Sequence, residues 1–288
     1  MGLRIGITGA SGLIGSAVLS TLNAEGHQAV RLPRPNSTNQ PLPSNLDAVV
    51  HLAGEPLVPG RWTPEKKAKI RNSRVEGTRL LVNKMAHSET RPRVLVCASA
   101  TGFYGNRGDE LLDEQSPRGI GFLANVVDEW EEAAQQAESF GVRAVSLRFG
   151  MILSRSGGAL AAMSWPFRLG LGGPIGDGRQ YWSWLSIEDA VGVIRYALLE
   201  EELTGIVNAV APDPVRNYEF ARILAGQLHR PSLMRVPGWA ARLAFGEVAD
   251  ELLLASLRVQ PSVLLQNGYP FKQPALAETL RQLLQPPH

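Results

Sequence analysis

Over the first 150 residues, short apolar runs alternate with longer stretches of helical periodicity. Leu3 to Thr8 predicts a strand, and the pattern from Leu13 to about Ala24 predicts a helix that stops at Gly26. Ala29 to Leu32 predicts a second strand, and Pro33 to Asn45, rich in Pro, Asn and Ser, an exposed loop. Asp47 to Gly54 predicts a third strand ending in small residues. A long helix follows from Thr63 or Pro64 to Ala86, with proline at its first turn. Arg93 to Ala98 predicts a strand, Phe122 to Phe140 a helix that Gly141 ends, and Val142 to Phe149 another strand. Short strands apolar on both faces, alternating with helices, mean a doubly wound α/β fold: a parallel sheet covered by helices on both sides. Beyond residue 150 the alternation weakens, and glycine, proline and tryptophan become denser. The expected division is therefore 1–150 for the sheet domain and 151–288 for a smaller lobe interleaved with the last strands.

Composition narrows the class. A chain of 288 residues with 44% hydrophobic content can bury a large core. The net charge of +2, with basic residues scattered, argues against a nucleic-acid partner. The single cysteine, Cys97, lies in an apolar run and reads as a small buried hydrophobe. No apolar stretch approaches the ~20 residues of a membrane span, so no membrane association is expected. The first strand starts almost at Met1, leaving no room for a signal peptide. The expected location is cytoplasmic, or an organelle matrix reached by a longer precursor.

Chemistry enters with the turn Thr8-Gly9-Ala10-Ser11-Gly12-Leu13-Ile14-Gly15. Gly9 allows the tight turn, Gly12 the approach of a diphosphate, and Gly15 close packing of helix on strand. Unpaired N–H groups at the helix start, together with its dipole, favour an anion. Placed between a strand and a helix, with a second strand following, this is a Rossmann-type dinucleotide fingerprint. An NAD site places an acid at the end of the second strand; here the stretch is Arg31-Leu32-Pro33-Arg34-Pro35-Asn36-Ser37. A guanidinium suits a 2′-phosphate, so the expected cofactor is NADP(H), with Arg34 as main phosphate ligand and Arg31 beside it. The alternative is that the two arginines only solvate a loop.

The glycine turn, Asp47…His51-Leu52-Ala53-Gly54, the strand at Leu95 to Ser99 and Gly176-Asp177-Gly178-Arg179-Gln180…Ser186-Ile187-Glu188-Asp189-Ala190 resemble the extended short-chain dehydrogenase/reductases. Arg61-Trp62-Thr63, Ser73-Arg74-Val75-Glu76-Gly77-Thr78, Phe167 to Pro174, Ser183-Trp184-Leu185, Arg258 to Pro261 and Gly268-Tyr269 resemble an atypical, epimerase-like branch. The resemblance spans essentially the whole chain. It implies that Leu52, Ala53 and Gly54 line the adenosine and diphosphate side. Arg74 becomes either a second phosphate ligand or a helix-surface salt bridge. Ser99, Ala100 and the segment from Phe149 to Met151 fall where the nicotinamide would lie, outside the carboxyl ends of the strands.

The same resemblance exposes a departure. The superfamily carries a Tyr and, four residues on, a Lys that lowers the phenol's pKa toward working pH. Here Leu123 and Val127 occupy those positions, and no Tyr or Lys occurs between Arg107 and Arg143. Tyr104 and Thr101 are the substitute catalytic candidates, with a structural role near a turn as the alternative for Tyr104. Asp113, Glu114 and Asp128 read as solvated charges. His51 reads as a core residue at a strand end, and the other histidines, His288 among them, as peripheral. No His, Cys or carboxylate spacing suggests a metal, and no Gly-x-Ser-x-Gly elbow suggests a hydrolase. Trp165, Arg168, Gln180, Tyr181, Trp182 and Trp184, set among glycines, read either as aromatic pocket walls or as ordinary packing. Glu55, Arg61 and Trp62 could close such a pocket from the other side. The expected function is an NADP(H)-dependent oxidoreductase or epimerase acting on a small polar substrate. The alternative is a non-catalytic NADP(H)-binding regulator, such as the cell- or plastid-division role attached to some relatives in photosynthetic lineages.

Overall fold

The computed structural model describes residues 2–35, 40–232 and 234–285, so Asn36, Ser37 and His288 lie outside the described residues. The first half contains β1 (Arg4–Thr8), α1 (Leu13–Ala24), β2 (Gln28–Leu32), β3 (Ala48–His51), α2 (Pro64–Ala86), β4 (Val94–Ala100), β5 (Leu111–Leu112), α3 (Phe122–Gln135) and β6 (Arg143–Phe149). Six parallel strands form one sheet in the order β10-β6-β4-β3-β1-β2, where β10 is Gly205–Ala209. The order reverses between β1 and β3, and ligands of such sheets bind in the crevice outside the carboxyl ends at that point.

Alternating side chains explain the apolar runs. Ile5, Ile7, Val50 and Val96 face one helical layer, whereas Val49, Leu95, Cys97 and Ala144 face the other. Period-two alternation with both faces covered leaves no polar side to the strand. Helix α2 starts where expected, with Thr63 accepting from the Lys66 N–H and Pro64 at the first turn. Two boundaries differ from expectation. Strand β3 ends at His51, because Leu52 to Gly54 peel away to frame the crevice. Helix α3 ends at Gln135 and tightens into a 3₁₀ turn over Gln136–Phe140, which Gly141 stops at φ +84°.

Residues past 150 supply β7 (Met151–Ser154), α4 (Gly158–Arg168), β8 (Tyr181–Trp182), β9 (Trp184–Ser186), α5 (Ile187–Leu199), β10, β11 (Val215–Arg216), α6 (Asn217–Gln227), α7 (Gly238–Phe245), β12 (Arg258–Val259), α8 (Ser262–Gln266) and α9 (Leu276–Leu284). Strand β10 completes the main sheet from this half. Three two-stranded ladders, β5 with β12, β7 with β9 and β8 with β11, fasten the rest above the carboxyl ends. Asp189, in the motif at Ser186 to Ala190, is a clamp. Its buried carboxylate accepts from the Lys272 N–H at 2.8 Å, the Gln273 N–H at 2.9 Å and Ser186 Oγ at 3.2 Å. No helix among the described residues is long and apolar enough to cross a membrane.

One charge pair lies in the core itself. Arg148 of β6 donates from Nε and Nη2 to both carboxylate oxygens of Glu131 on α3, at 2.8 and 2.7 Å. Ser99 of β4 donates to the same carboxylate at 2.5 Å, and Arg148 Nη1 donates to the Tyr104 hydroxyl at 2.9 Å. Removing one partner of a buried pair strands the other charge, at a cost of about 3–5 kcal/mol. Glu131→Gln is accordingly expected to lower the unfolding free energy in urea by about that amount. A loss below about 1 kcal/mol, the range of an exposed pair, would contradict the assignment.

Candidate functional site

The glycine turn follows β1 at the point where strand order reverses. Gly9 has φ +69°, and a Cβ there would meet the Leu52 carbonyl at 2.7 Å. Gly15 is tighter still: its Cβ would sit 2.2 Å from the Gly9 carbonyl oxygen. Gly15 thus seats α1 on the turn itself, not on the strand as the motif suggests. Gly12 meets only the Gly9 carbonyl, at 3.3 Å, and its remaining side is open. Ser11 and Gly12 are exposed, and Leu13 and Ile14 half-buried. The first-turn N–H groups of α1, which have no intrahelical acceptor, therefore meet open space in front of the turn.

A buried polar chain holds β1 to β3 just below. Thr8 Oγ1 lies 2.6 Å from His51 Nδ1, and His51 Nε2 lies 3.0 Å from Thr78 Oγ1 on α2. Burial drives the His51 pKa down from 6.5 to about 4, so the ring is neutral and joins the two hydroxyls. The expected core role of His51 agrees with this placement.

Leu52, Ala53 and Gly54 form the far lip of the crevice. Arg74 is not the surface salt bridge that was one of its two readings. Its Nη1 donates to the Glu55 carbonyl at 2.9 Å and the Ile70 carbonyl at 3.3 Å, and the guanidinium lies against Gly54. Burial lowers its pKa to about 10, and no carboxylate stands within ion-pair distance among the described residues. Arg31, within β2, and Arg34, beyond its end, are both exposed. The Glu55 carboxyl is held below its usual range mainly by its bond with Lys66 Nζ at 2.7 Å, with added pull from Lys69 and Arg34. Arg34 and Arg74 therefore both lie within electrostatic reach of Glu55 at this lip.

The nicotinamide-side expectations are redistributed. Ala100 and Met151 remain half-buried at the ends of β4 and β7. The Ser99 hydroxyl is committed to Glu131, and Thr101 is buried with a long contact to the Phe149 carbonyl at 3.4 Å. Tyr104 is corrected as a catalytic candidate. It is 0% exposed, donates to Asn208 Oδ1 at 2.7 Å, accepts from Arg148, and has its pKa pushed up to about 12 by burial. The 3₁₀ turn over Thr101–Tyr104 swings the ring inward under Arg148. Leu123 and Val127 are both buried and apolar.

The residues expected around substrate fall in three places. Glu55 and Trp62 lie on the α2 side, with Trp62 packed edge-on against Phe122 and clustered with Leu123. Arg168 is exposed and lines a separate cavity of about 440 Å³ with Arg155 and the 63% exposed Trp165. Gln180, Trp182 and Trp184 are corrected: all are buried, with their N–H groups donating to the carbonyls of Ile175, Leu253 and Asp213. For Trp182 and Trp184 the indole N–H finds a backbone carbonyl as its acceptor. Glu114 is corrected too. It is not solvated but half-buried, accepting from the Asn208 and Val263 N–H groups.

Sequence reasoning missed Glu251, which accepts from the Phe122 N–H at 2.8 Å and the Leu123 N–H at 3.2 Å at the start of α3. It also missed the Glu131–Arg148 pair, although an arginine inside the apolar run Ala144 to Phe149 is the kind of signal that demands a buried partner.

Comparison with known proteins agrees with this geometry. Residues 5–209 match the NAD dependent epimerase/dehydratase family, and residues 236–283 match a domain of unknown function, DUF1731. An epimerase family protein of Mycobacterium tuberculosis, MT2273, is 38% identical over 290 residues, covering 96% of each chain. The human epimerase family protein SDR39U1, crystallised with NADPH, superposes with a TM-score of 0.93 at 33% identity, over 98% of this chain and 99% of that one. A nucleoside-diphosphate sugar epimerase of Corynebacterium glutamicum superposes with a TM-score of 0.81 at 33% identity; this chain spans 58% of it.

The His51 chain carries a pH signature. A histidine titrating at about 4 when folded and 6.5 when unfolded contributes stability that is full above pH 6.5 and is lost as pH falls toward 4. Between pH 7 and pH 5 the contribution of this residue shrinks by about 2 kcal/mol. Urea unfolding of the wild type should lose that much more stability over this interval than His51→Gln does; parallel losses would refute the neutral, buried ring.

Proposed function

Because this chain belongs to the NAD dependent epimerase/dehydratase family, we propose that it holds NADP(H) in the crevice between β1 and β3 and acts as an oxidoreductase or epimerase on a small polar molecule. The observation that carries this reading is the pair of arginines at the lip. The open helix start takes the diphosphate, Leu52 to Gly54 take the adenosine side, and Arg34 takes the 2′-phosphate. Arg74 is the second phosphate ligand: a half-buried guanidinium with no carboxylate at ion-pair distance among the described residues gains from an incoming anion. Lys66 neutralises Glu55, so the one carboxylate at the lip does not repel it. The NADPH in the structure of the human relative supports the same choice. When bound, the nicotinamide supplies or accepts a hydride at a carbinol carbon.

A second reading has an observation of its own. Leu123 and Val127 can neither donate a proton nor carry charge, which favours an NADP(H)-binding regulator without turnover. Incubation of the NADPH-loaded protein with a panel of carbonyl compounds, followed at the nicotinamide absorbance band, separates the two. Loss of absorbance supports the enzyme. A flat trace, with a protein partner that co-purifies only in the presence of NADPH, supports the regulator.

Cofactor choice is tested by titration. NADPH should bind at least tenfold more tightly than NADH, as a charge-assisted hydrogen bond of about 1.5–3 kcal/mol requires. Arg34→Ala should remove most of that preference, leaving NADH affinity unchanged. Arg74→Ala should weaken both cofactors if it serves the diphosphate, and NADPH alone if it serves the 2′-phosphate. Equal affinity for NADH and NADPH in the wild type would sink the proposal.

A further inference from the structure

A cavity of about 250 Å³ lies between the turn that follows β4 and the segment that follows α7. Gly102, Asn106, Ile120, Arg242, Asp250 and Glu251 contribute to its wall. Its floor adjoins Leu123, the position at which the resembling dehydrogenases carry their tyrosine: a Cβ on Gly102 would touch the Leu123 side chain at 3.2 Å. The ionisable group at that position is Glu251, whose carboxylate binds the Leu123 N–H. It comes from the segment that matches the domain of unknown function.

Charge and size select the ligand. Arg242 is paired with Asp250 at 2.8 Å, whereas Glu251 has no cation at ion-pair distance among the described residues. Burial raises the Glu251 pKa, while the two N–H groups and Lys67 pull it back. In its ionised form it adds to the wall one negative charge beyond the Arg242–Asp250 pair, which repels phosphate. A carboxylate offers about four lone-pair sites. The Phe122 and Leu123 N–H groups use two, and those left over accept hydroxyl hydrogens. Asn106 Oδ1 accepts from the Ser256 and Gly108 N–H groups, which leaves its NH₂ as a donor. At roughly 30 Å³ per water, the cavity holds about eight waters, enough for one small ring.

We propose that this cavity binds a small, uncharged, hydroxyl-bearing molecule of about monosaccharide size, with Glu251 accepting from one of its hydroxyls, and excludes phosphorylated or nucleotide-linked forms. This names the substrate class of the cleft, and it rests on the NADP(H) reading for the neighbouring half of the site.

The test is saturation-transfer NMR, with isothermal titration, on the full chain loaded with NADPH. The probes are D-glucose, D-xylose, glycerol, D-glucose 1-phosphate and UDP-glucose. At least one of the three neutral probes should bind, and at least tenfold more tightly than either phosphorylated one. Glu251→Gln should weaken that binding at least tenfold. Ile120→Trp, at a position 96% exposed and so harmless to folding, should narrow the mouth and weaken it at least fivefold. Both variants should keep wild-type NADPH affinity. No binding by any neutral probe, equal or tighter binding of a phosphorylated one, or an unchanged Ile120→Trp would each overturn the proposal. Loss of wild-type NADPH binding with the neutral probe still bound would instead sink the cofactor reading alone.

Discussion

Arg148 and Glu131 bury opposite charges side by side beneath the carboxyl end of the sheet, and four elements converge on them. Arg148 belongs to β6, Glu131 to α3, Ser99 to β4 and Tyr104 to the turn after β4. Tyr104 extends the chain to Asn208 of β10, whose own backbone N–H is held by Glu114. Two charges removed from water cost several kcal/mol each, so the pair is tolerable only because nearly every donor and acceptor around it is satisfied. Such a network has few alternative geometries. It fixes where α3 stands relative to β4 and β6, and hence where the start of α3 faces the cleft. Satisfying the arginine also uses up the Tyr104 hydroxyl, which removes that tyrosine from proton transfer.

The main sheet was legible because its signals are local. A four- to seven-residue apolar run flanked by glycine or proline has few ways to be buried, and β1, β2, β4 and β6 were read within a residue or two. Boundaries slipped where local and tertiary demands differ. Leu52 to Gly54 carry the composition of a strand end, but they bend off β3 because the turn at Gly9 occupies the space beside them. The second half was legible only as a change in composition. Its strands are two to four residues long apart from β10, and each pairs with a segment far away in sequence. The partnership of Leu111 with Arg258 has no trace in either segment alone.

The site divides along the same line. The glycine turn could be read because backbone geometry, not a side chain, does the work at Gly9 and Gly15. Arg74 could be singled out by type and position, but its burial against Gly54 could not be. The tryptophans misled because composition gives no direction. Trp182 and Trp184 stand in short strands whose side chains turn into the core, and Trp165, on the surface of α4, faces a different cavity. Glu251 was invisible for a third reason: a carboxylate in a polar stretch near the C-terminus declares nothing until the chain folds back over α3.

These observations explain how one half of a site can persist while the other is rebuilt. The proposed cofactor half is backbone at the ends of β1 and β3 with arginines at its lip, and it meets α3 where the Arg74 guanidinium lies over the Trp130 ring. The proton-transfer half of related enzymes is two side chains on one helix face, and here both are apolar and packed against Trp62, Phe103 and Val248. Replacing a charged pair with well-packed apolar residues is often neutral or favourable to stability, so the fold itself does not resist the loss. What the fold places at the start of α3 instead comes from the C-terminal segment. That segment brings a carboxylate, held by the same helix N–H groups that would favour any anion there.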